Sequence, residues 1–498
     1  MPLSEQTDIT AILDRVSCLL DEQGHQGYIV GGFIRDWLLD RRTNDVDIAV
    51  DGNALDIGRE IAKGLGGKFV LLDEANEISR VVLVDEEGWH LDFSSLSGDI
   101  ESDLVRRDFT IDAMAVKLGQ MGVGIPLKLI DPLSGKDDLE NKILRAVNKR
   151  VFEADAARLL RAVRLAAELD FTIERETESL IRCYCQSIIR IPGERIREEL
   201  LRLLSLPGAA RCLRYLDDLG LLLALFPELI EAKGVDQPTT HFWDVFDHSL
   251  QTVAAIEFLT RENDWKYGSK DMLLTVPWSD AIIQHLAAEV SKGSDHRALL
   301  KLGGLFHDIA KPRTKFVDDV GRAHFLGHPK DGAVIAADIL SRLRFSNKEI
   351  NLVERLVYYH LRPVQMSSGK ELPTQRAIYR YFRDTDGIGV DILFLALADY
   401  LATCGPLVKM EEWKEYCQLM NYILAGNERQ QTDILPVKLV DGRDLMNIFG
   451  LTPGPLLGKL LASVREAQAS GELSDKEGAL AFVEKKLSKQ RCHVGSGN

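Results

Sequence analysis

The hydrophobic pattern changes character partway along the chain. In the first third, short β-branched or apolar runs are separated by turn residues. YIVGG (28–32), DVDIAV (45–50), KFVLLD (68–73), RVVLVD (80–85) and HLDF (90–93) read as strands. Between two of them, ALDIGREIAKGL repeats its apolar positions at helical spacing and predicts a helix from Ala54 to Leu65. After Asp131 the texture becomes helical. RLLRAVRLAAEL, ERIREELLRLL and AARCLRYLDDLGLLLALF are rich in leucine and arginine, and strand signals nearly vanish. The pattern therefore predicts an α+β chain, with a head built on a small mixed or antiparallel sheet and an extended all-α remainder. Breaker residues in KGVDQPTTHFWD and NERQQTDILP divide that remainder further. The expected divisions are 1–145, 146–228, 229–428 and 429–498. No internal repeat or low-complexity tract interrupts them.

Composition adds limits. A chain of 498 residues, 45% hydrophobic and 28% charged, is long enough for roughly three globular domains. No apolar run approaches the roughly 18 residues of a membrane helix, and no membrane partner is expected. The N-terminus, MPLSEQTDITAILDRVSCLLDEQG, carries acidic residues where a signal peptide would be positive. The seven cysteines are scattered, with no CxxC pair. Reduced thiols and a cytoplasmic location are the expectation. The net charge of −15 argues against an evenly basic nucleic-acid surface. Local stretches differ: Lys149, Arg150, Arg158, Arg161 and Arg164 cluster, as do Arg190, Arg195, Arg197 and Arg202.

Chemistry enters first at DVD. Asp45 and Asp47 alternate on one strand, so both carboxylates face the same way. Such a pair repels unless positive charge lies between, and Mg²⁺ bridging substrate phosphates is the natural occupant. Asp92, alternating with His90 on another strand, is a candidate third carboxylate. Gly31 and Gly32, followed by Arg35 and Asp36, form a turn whose backbone suits close approach to a triphosphate.

In order along the chain, Gly31-Gly32-Phe33-Ile34-Arg35-Asp36, Asp45-Val46-Asp47, RRDFTIDAMA (106–115), DPLSGKDDL (131–139) and FEADAARLLRAVR (152–164) resemble successive motifs of the bacterial-type CCA-adding tRNA nucleotidyltransferase and poly(A) polymerase family. The resemblance covers about 1–205. It implies a nucleotidyltransferase head, with Gly31, Gly32, Arg35 and Arg107 at the triphosphate, Asp108 at the ribose hydroxyls, and Arg161 and Arg164 beside the nucleotide. Asp155 and Arg158, three apart on a stretch that reads as helical, offer an acceptor and a donor on one face. That pattern complements the Watson–Crick edges of cytosine and adenine and opposes those of uracil and guanine. Two departures stand out: Ala154 and Ala156 flank Asp155 where the family carries Glu and Pro, and Asp112 replaces a common Asn. The segment between HLDFSSL and RRDF is short where many CCA-adding members have a longer flexible loop. Partial activities, CC-only or A-only addition, therefore remain alternatives beside poly(A) polymerisation.

A third group lies further on. His248, His307-Asp308, His328, His360 and Asp399 are spaced along helical sequence and could converge on one or two divalent metals. Their order resembles the HD phosphohydrolase domain in its two-metal form, with LFHDIAKP close to its signature. This implies an HD-type body holding Mn, Ni, Fe or Mg, and a phosphohydrolase with an inactive head is the alternative of a different class. DGRDLMNIFGLTPGPLLGKLLASVREAQ resembles the tail of HD-bearing members. The leading expectation is template-independent addition of C or A from CTP and ATP to a tRNA 3′ end.

Overall fold

The computed structural model describes residues 7–83, 88–120, 128–238, 241–367, 371–432, 438–469 and 471–494. The chain forms two compact units, Met1–Ile191 with Tyr215–Leu225, and Pro192–Arg214 with Phe226–Asn498.

In the first unit the strands are β1 (Gly27–Val30), β2 (Asp45–Val50), β3 (Lys68–Asp73), β4 (Ile78–Val82), β5 (His90–Ser95) and β6 (Ala115–Lys117). They form one sheet in the order β3-β4-β5-β2-β1-β6. Only β2 and β5 run parallel; the other neighbours are antiparallel. β2 and the Ala54–Leu65 helix have the bounds the sequence predicts, whereas β6 was not expected. The end of the expected 80–85 run, Val84 and Asp85, lies outside the described residues.

The alternation of β2 and β5 decides what each face does. Val46, Ile48 and Val50, with Leu91 and Phe93, turn to a core filled by the Thr7–Glu22 and Ala54–Leu65 helices. Asp45, Asp47 and His90, Asp92 fall on the other face, where the packing residues are small: Ala49, Ala113 and Ala115 beside Val30 and Leu104. One face of the sheet is thus apolar and helix-covered, and the opposite face carries the carboxylates.

The second unit is helical. Its centre contains the helices Val245–Leu259, His296–Phe306, His328–Arg342, Asn347–Tyr359 and Gly389–Cys404. Gly303 and Gly304 set their spacing. A Cβ at 303 would lie 2.7 Å from Leu356 Cδ1, and one at 304 would lie 2.6 Å from Ile256 Cδ1. Bare backbone lets His296–Phe306 sit close to both neighbours. The expectation that no apolar run reaches membrane length is corrected here. Gly389–Leu407 is long and apolar enough by composition, because it is a central helix with Ile392, Leu393, Leu395, Ala396 and Leu397 all buried. The described cysteines are free thiols.

A buried cation anchors this unit. Lys301 is fully enclosed and donates to the carbonyls of Leu204 and Leu206 at 2.8 and 3.3 Å. Glu257 and Glu262 lie 3.4 and 3.1 Å from its Nζ. Removing one partner of a buried pair leaves the other charge uncompensated. Lys301→Ala is expected to destabilise this unit by about 3–5 kcal/mol, read by denaturant unfolding.

Candidate active site and metal centre

β1 ends at Val30 because Gly31, at φ 72°, turns the chain into the Gly32–Leu38 helix. A Cβ on Gly31 would lie 2.9 Å from Arg107 Nη1 and 3.1 Å from Asp47 Oδ2. The glycine is thus required twice, for its dihedral and for the approach of these two side chains. The parallel register sets Asp47 beside Asp92 and Asp45 beside His90. Asp45, Asp47 and Asp92 therefore share one face, as their alternation predicts.

Their surroundings differ. Asp45 is 64% exposed at its side chain, with His90 Nδ1 at 3.0 Å and Arg80 at 3.8 Å. Asp92 accepts two bonds from Arg80, both 2.7 Å, which holds both of its oxygens. Asp47 is half-buried. That desolvation pushes its carboxyl up to about 6; Asp92 and Asp112 push the same way, against Arg107 and Arg161.

Several residues of the expected nucleotide site are engaged with neighbouring side chains and backbone. Arg35 is buried. It donates to both oxygens of Asp36 at 3.0 Å and to Asp112 at 2.8 Å, so it fastens two acids. This pairing explains how Asp112 is accommodated: Arg35 holds one oxygen, and Arg161 lies 3.8 Å from the other. Arg164 is buried as well and pairs with Glu168 at 2.5 Å, one helical turn on, which also accepts from Arg41 at 3.1 Å. Asp108 accepts from the Phe109 amide at 3.0 Å and pairs with Arg161 at 2.8 Å.

Asp155 and Arg158 do not share a helical face. Val151–Ala154 and Arg158–Leu169 are separate helices, and Asp155 lies extended between them (φ −151°, ψ 106°). Its carboxylate accepts from the Ala157 amide at 3.1 Å, a local bond that competes with helix continuation. Arg158 donates to the carbonyls of Val151 and Arg106 at 3.3 and 3.2 Å.

The second unit brings all six expected metal ligands together. His248 comes from the first turn of Val245–Leu259, and His307 from the end of His296–Phe306 with Asp308 next to it. His328 opens its helix, His360 closes Asn347–Tyr359, and Asp399 lies within Gly389–Cys404. His307, His328 and His360 each set Nδ1 against the carbonyl three residues earlier, at 2.8, 2.6 and 2.7 Å. Donation from Nδ1 leaves Nε2 facing inward, where the neutral form of each ring offers it as an acceptor. His248, His307, Asp308 and Asp399 form one group, and Asp308, His328 and His360 a second, so Asp308 bridges the two. His248 Nε2 lies 3.4 Å from Asp308 Oδ2, and His328 Nε2 lies 3.3 Å from Oδ1.

The donor set fits a pair of divalent ions. Asp308 is buried, and neither of its oxygens accepts a hydrogen bond of normal geometry. Burial opposes charge on His307, but Asp308 and Asp399 outweigh it and hold the ring up to about 10. Burial and the charge of His307 push His360 down to about 3. Sequence reasoning missed Lys311, whose Nζ lies 2.6 Å from Asp308 and donates to Gln237 at 2.6 Å. It also missed His241, whose ring stands 5.6 Å from that of His248. Lys311 follows the HD pair by three residues and was legible at helical spacing; His241 had no signal of its own.

A sheet with paired carboxylates beside a glycine turn, joined to a helical His–Asp centre, defines a class that the comparisons with known proteins make specific. Residues 27–145 match the Poly A polymerase head domain, 170–233 the "Probable RNA and SrmB- binding site of polymerase A", and 245–404 the HD domain. The A-adding tRNA nucleotidyltransferase of Deinococcus radiodurans is 34% identical over 463 residues, 92% of this chain and 94% of that protein. The CC-adding enzyme of Thermus thermophilus is 33% identical over 465 residues, 91% and 92% of the two chains. Among solved structures, the Thermotoga maritima CCA-adding enzyme complexed with tRNA shares the fold, with a TM-score of 0.60, 22% identity and 96% of each chain covered. A CCA-adding enzyme with CTP gives 0.63 at 23% identity, again over 96% of each chain. The chain belongs to the bacterial tRNA nucleotidyltransferase family with a poly(A) polymerase-type head and an HD domain.

The raised carboxyl of Asp47 has a sign that can be measured. It binds its proton more tightly folded, near 6, than at its ordinary 3.8. Without metal, folding therefore loses stability as pH rises between those values. In chelator at pH 7.5, Asp47→Asn is expected to be more stable than the unsubstituted protein, by up to about 3 kcal/mol. Melting curves across pH should show the difference vanishing near pH 4.

Proposed function

We propose that this protein extends the 3′ end of tRNA without a nucleic-acid template, taking CTP and ATP as the class of substrate, and that the Asp45–Asp47 face is where the bond forms. The observation carrying this reading is the geometry of β2: two carboxylates on one face, one of them half-buried, beside a glycine that admits Arg107. Asp45 and Asp47 are the residues to hold Mg²⁺, which when bound favours the nucleophilic form of the 3′-hydroxyl and offsets charge on the departing pyrophosphate. Arg107, held by Asp103 at 3.4 Å, presents its guanidinium to the triphosphate across Gly31. Asp108, oriented by Arg161, accepts from the ribose hydroxyls. Asp92, clamped by Arg80, sets the field around Asp47 and positions it.

Arg158 and Asp155 read the base. Arg158 carries five N–H donors and is fixed through bonds to two backbone carbonyls, which preorganises the remaining donors for a ring nitrogen. Lining up with a base is then a matter of a fixed loop rather than a helix face. The four sequence divisions follow this labour: head 1–145, base selection and RNA binding 146–228, HD body 229–428 and tail 429–498. A cytoplasmic location suits such a substrate.

Addition of C residues is the favoured specificity. From Leu96 to Arg106 the chain is short and ordered: Asp99 caps the Ile100–Leu104 helix, and Arg106 donates to the Ser97 carbonyl at 2.5 Å. A segment pinned in this way matches a family member without the long loop expected for full CCA addition. The test uses purified protein, Mg²⁺, labelled CTP or ATP, and tRNA ending before CCA, at –C, or at –CC. Two C residues added and no A is the expected result. Extension of the –CC substrate alone by A would replace it with A-addition. Asp45→Ala is expected to lower incorporation by at least about a thousandfold, and an undiminished rate would remove the catalytic assignment.

The HD centre supports a second activity. Asp308 with His248, His307 and Asp399, and with His328 and His360, would hold two divalent ions, drawn from Mn, Ni, Fe or Mg. Water polarised there would attack a phosphate ester, and a cyclic phosphate on a damaged RNA 3′ end is a fitting substrate. Hydrolysis of a 2′,3′-cyclic nucleotide in the presence of Mn or Ni is expected, and His307→Ala should abolish it while leaving C addition intact.

A further inference from the structure

Outside both centres, another set of metal-ligating side chains converges in the helical unit. His285 lies on the Asp280–Ala287 helix, His296 opens His296–Phe306, and Asp391 lies in the first turn of Gly389–Cys404. Asp391 is fully buried. Its Oδ2 is 2.6 Å from His285 Nε2, and its Oδ1 is 2.9 Å from His296 Nδ1. The two rings are 4.3 Å apart at their centroids, and one ligand atom from each of the three residues lies within 4.8 Å of the others.

Charge makes this arrangement more than a pair of hydrogen bonds. Among the described ion pairs, Asp391 meets the two imidazoles and no Lys or Arg. A carboxylate carried fully out of water costs several kcal/mol unless positive charge stands beside it. Asp391 holds the His285 ring up, so without metal a protonated imidazole supplies that charge, and a divalent ion bound among the three groups would take its place. The rings are not sealed in, either: His285 and His296 keep 22% and 15% side-chain exposure and line a cavity of about 430 Å³ with Lys348, Asn351 and Arg355.

We propose that His285, His296 and Asp391 form a separate metal site, in which two imidazole nitrogens and one carboxylate oxygen hold a divalent transition ion, Zn²⁺ foremost. The donor set decides the class of ion. Two nitrogens and one oxygen suit Zn²⁺, Co²⁺ or Ni²⁺ and disfavour Mg²⁺ or Ca²⁺, which take oxygen ligands. Three protein ligands leave a position open for a water, and the cavity beside the rings is also lined by Lys348 and by Arg355, which pairs with Asp386 at 3.1 Å. The ligands come from three different helices, so the ion ties them together. No ligand is shared with the Asp308 centre.

The test is metal binding by the full-length chain with the other two centres disabled by Asp45→Ala, Asp47→Ala, His307→Ala and His360→Ala, its fold checked by circular dichroism. After gel filtration, elemental analysis is expected to find one equivalent of Zn²⁺. Co²⁺ titration should give the visible absorption of a cobalt ion bound by nitrogen and oxygen. His285→Gln and His296→Gln, added singly, should each weaken binding by roughly tenfold or more. Both rings are partly exposed, so these variants carry the test even if Asp391→Asn fails to fold. A disabled chain that retains no Zn²⁺, or histidine variants that bind it as before, would overturn the proposal. Neither outcome depends on nucleotide addition, which is assayed separately on the unsubstituted protein.

Discussion

Carboxylates removed from water and brought near one another need positive charge among them, and both centres of this protein are arranged around that need. In the head, Asp47 feels the charges of Asp92 and Asp112, with Arg107 and Arg161 opposing them. Arg80 and Arg35 fasten the neighbouring acids so that they do not swing into the same space. In the helical unit, Asp308 and Asp399 are enclosed by imidazoles, with Lys311 against Asp308. A low local dielectric magnifies every one of these terms, which is why the same groups would be unremarkable on a wet surface.

Packing delivers the groups to those places. The apolar half of β2 and β5 is committed to helices, so the alternate residues must emerge on the face where alanines keep the backbone close. Glycines do comparable work twice. Gly31 admits a carboxylate and a guanidinium to one corner, and Gly303 with Gly304 brings three helices near enough for their histidines to meet. Backbone carbonyls then fix three of the rings by Nδ1, so the direction of each imidazole is decided before any ligand arrives.

The arginines show that a motif does not say which acid each side chain finds. Arg35 and Arg164 stand in motifs associated with nucleotide handling, and both are buried and paired with acids of their own unit. They shape the pocket by holding Asp36, Asp112 and Glu168. Arg107 and Arg158 remain the residues whose side chains reach the candidate site or anchor at its edge. Guanidinium groups near many carboxylates are shared out by geometry, and sequence order does not say which acid each one finds.

By itself the sequence determined the strand alternation, the helix at Ala54–Leu65, the order of the head motifs and the six candidate ligands that the helical unit brings together. Those features depend on local periodicity or on residue types with few other uses. Tertiary structure alone decided the parallel register that puts Asp92 beside Asp47, the break at Asp155, the capture of Arg35 by Asp112, and the meeting of His285, His296 and Asp391. Each of these joins or parts residues through strand pairing, a competing backbone hydrogen bond or helix packing. The energies that choose among such arrangements come from neighbours far away in the chain.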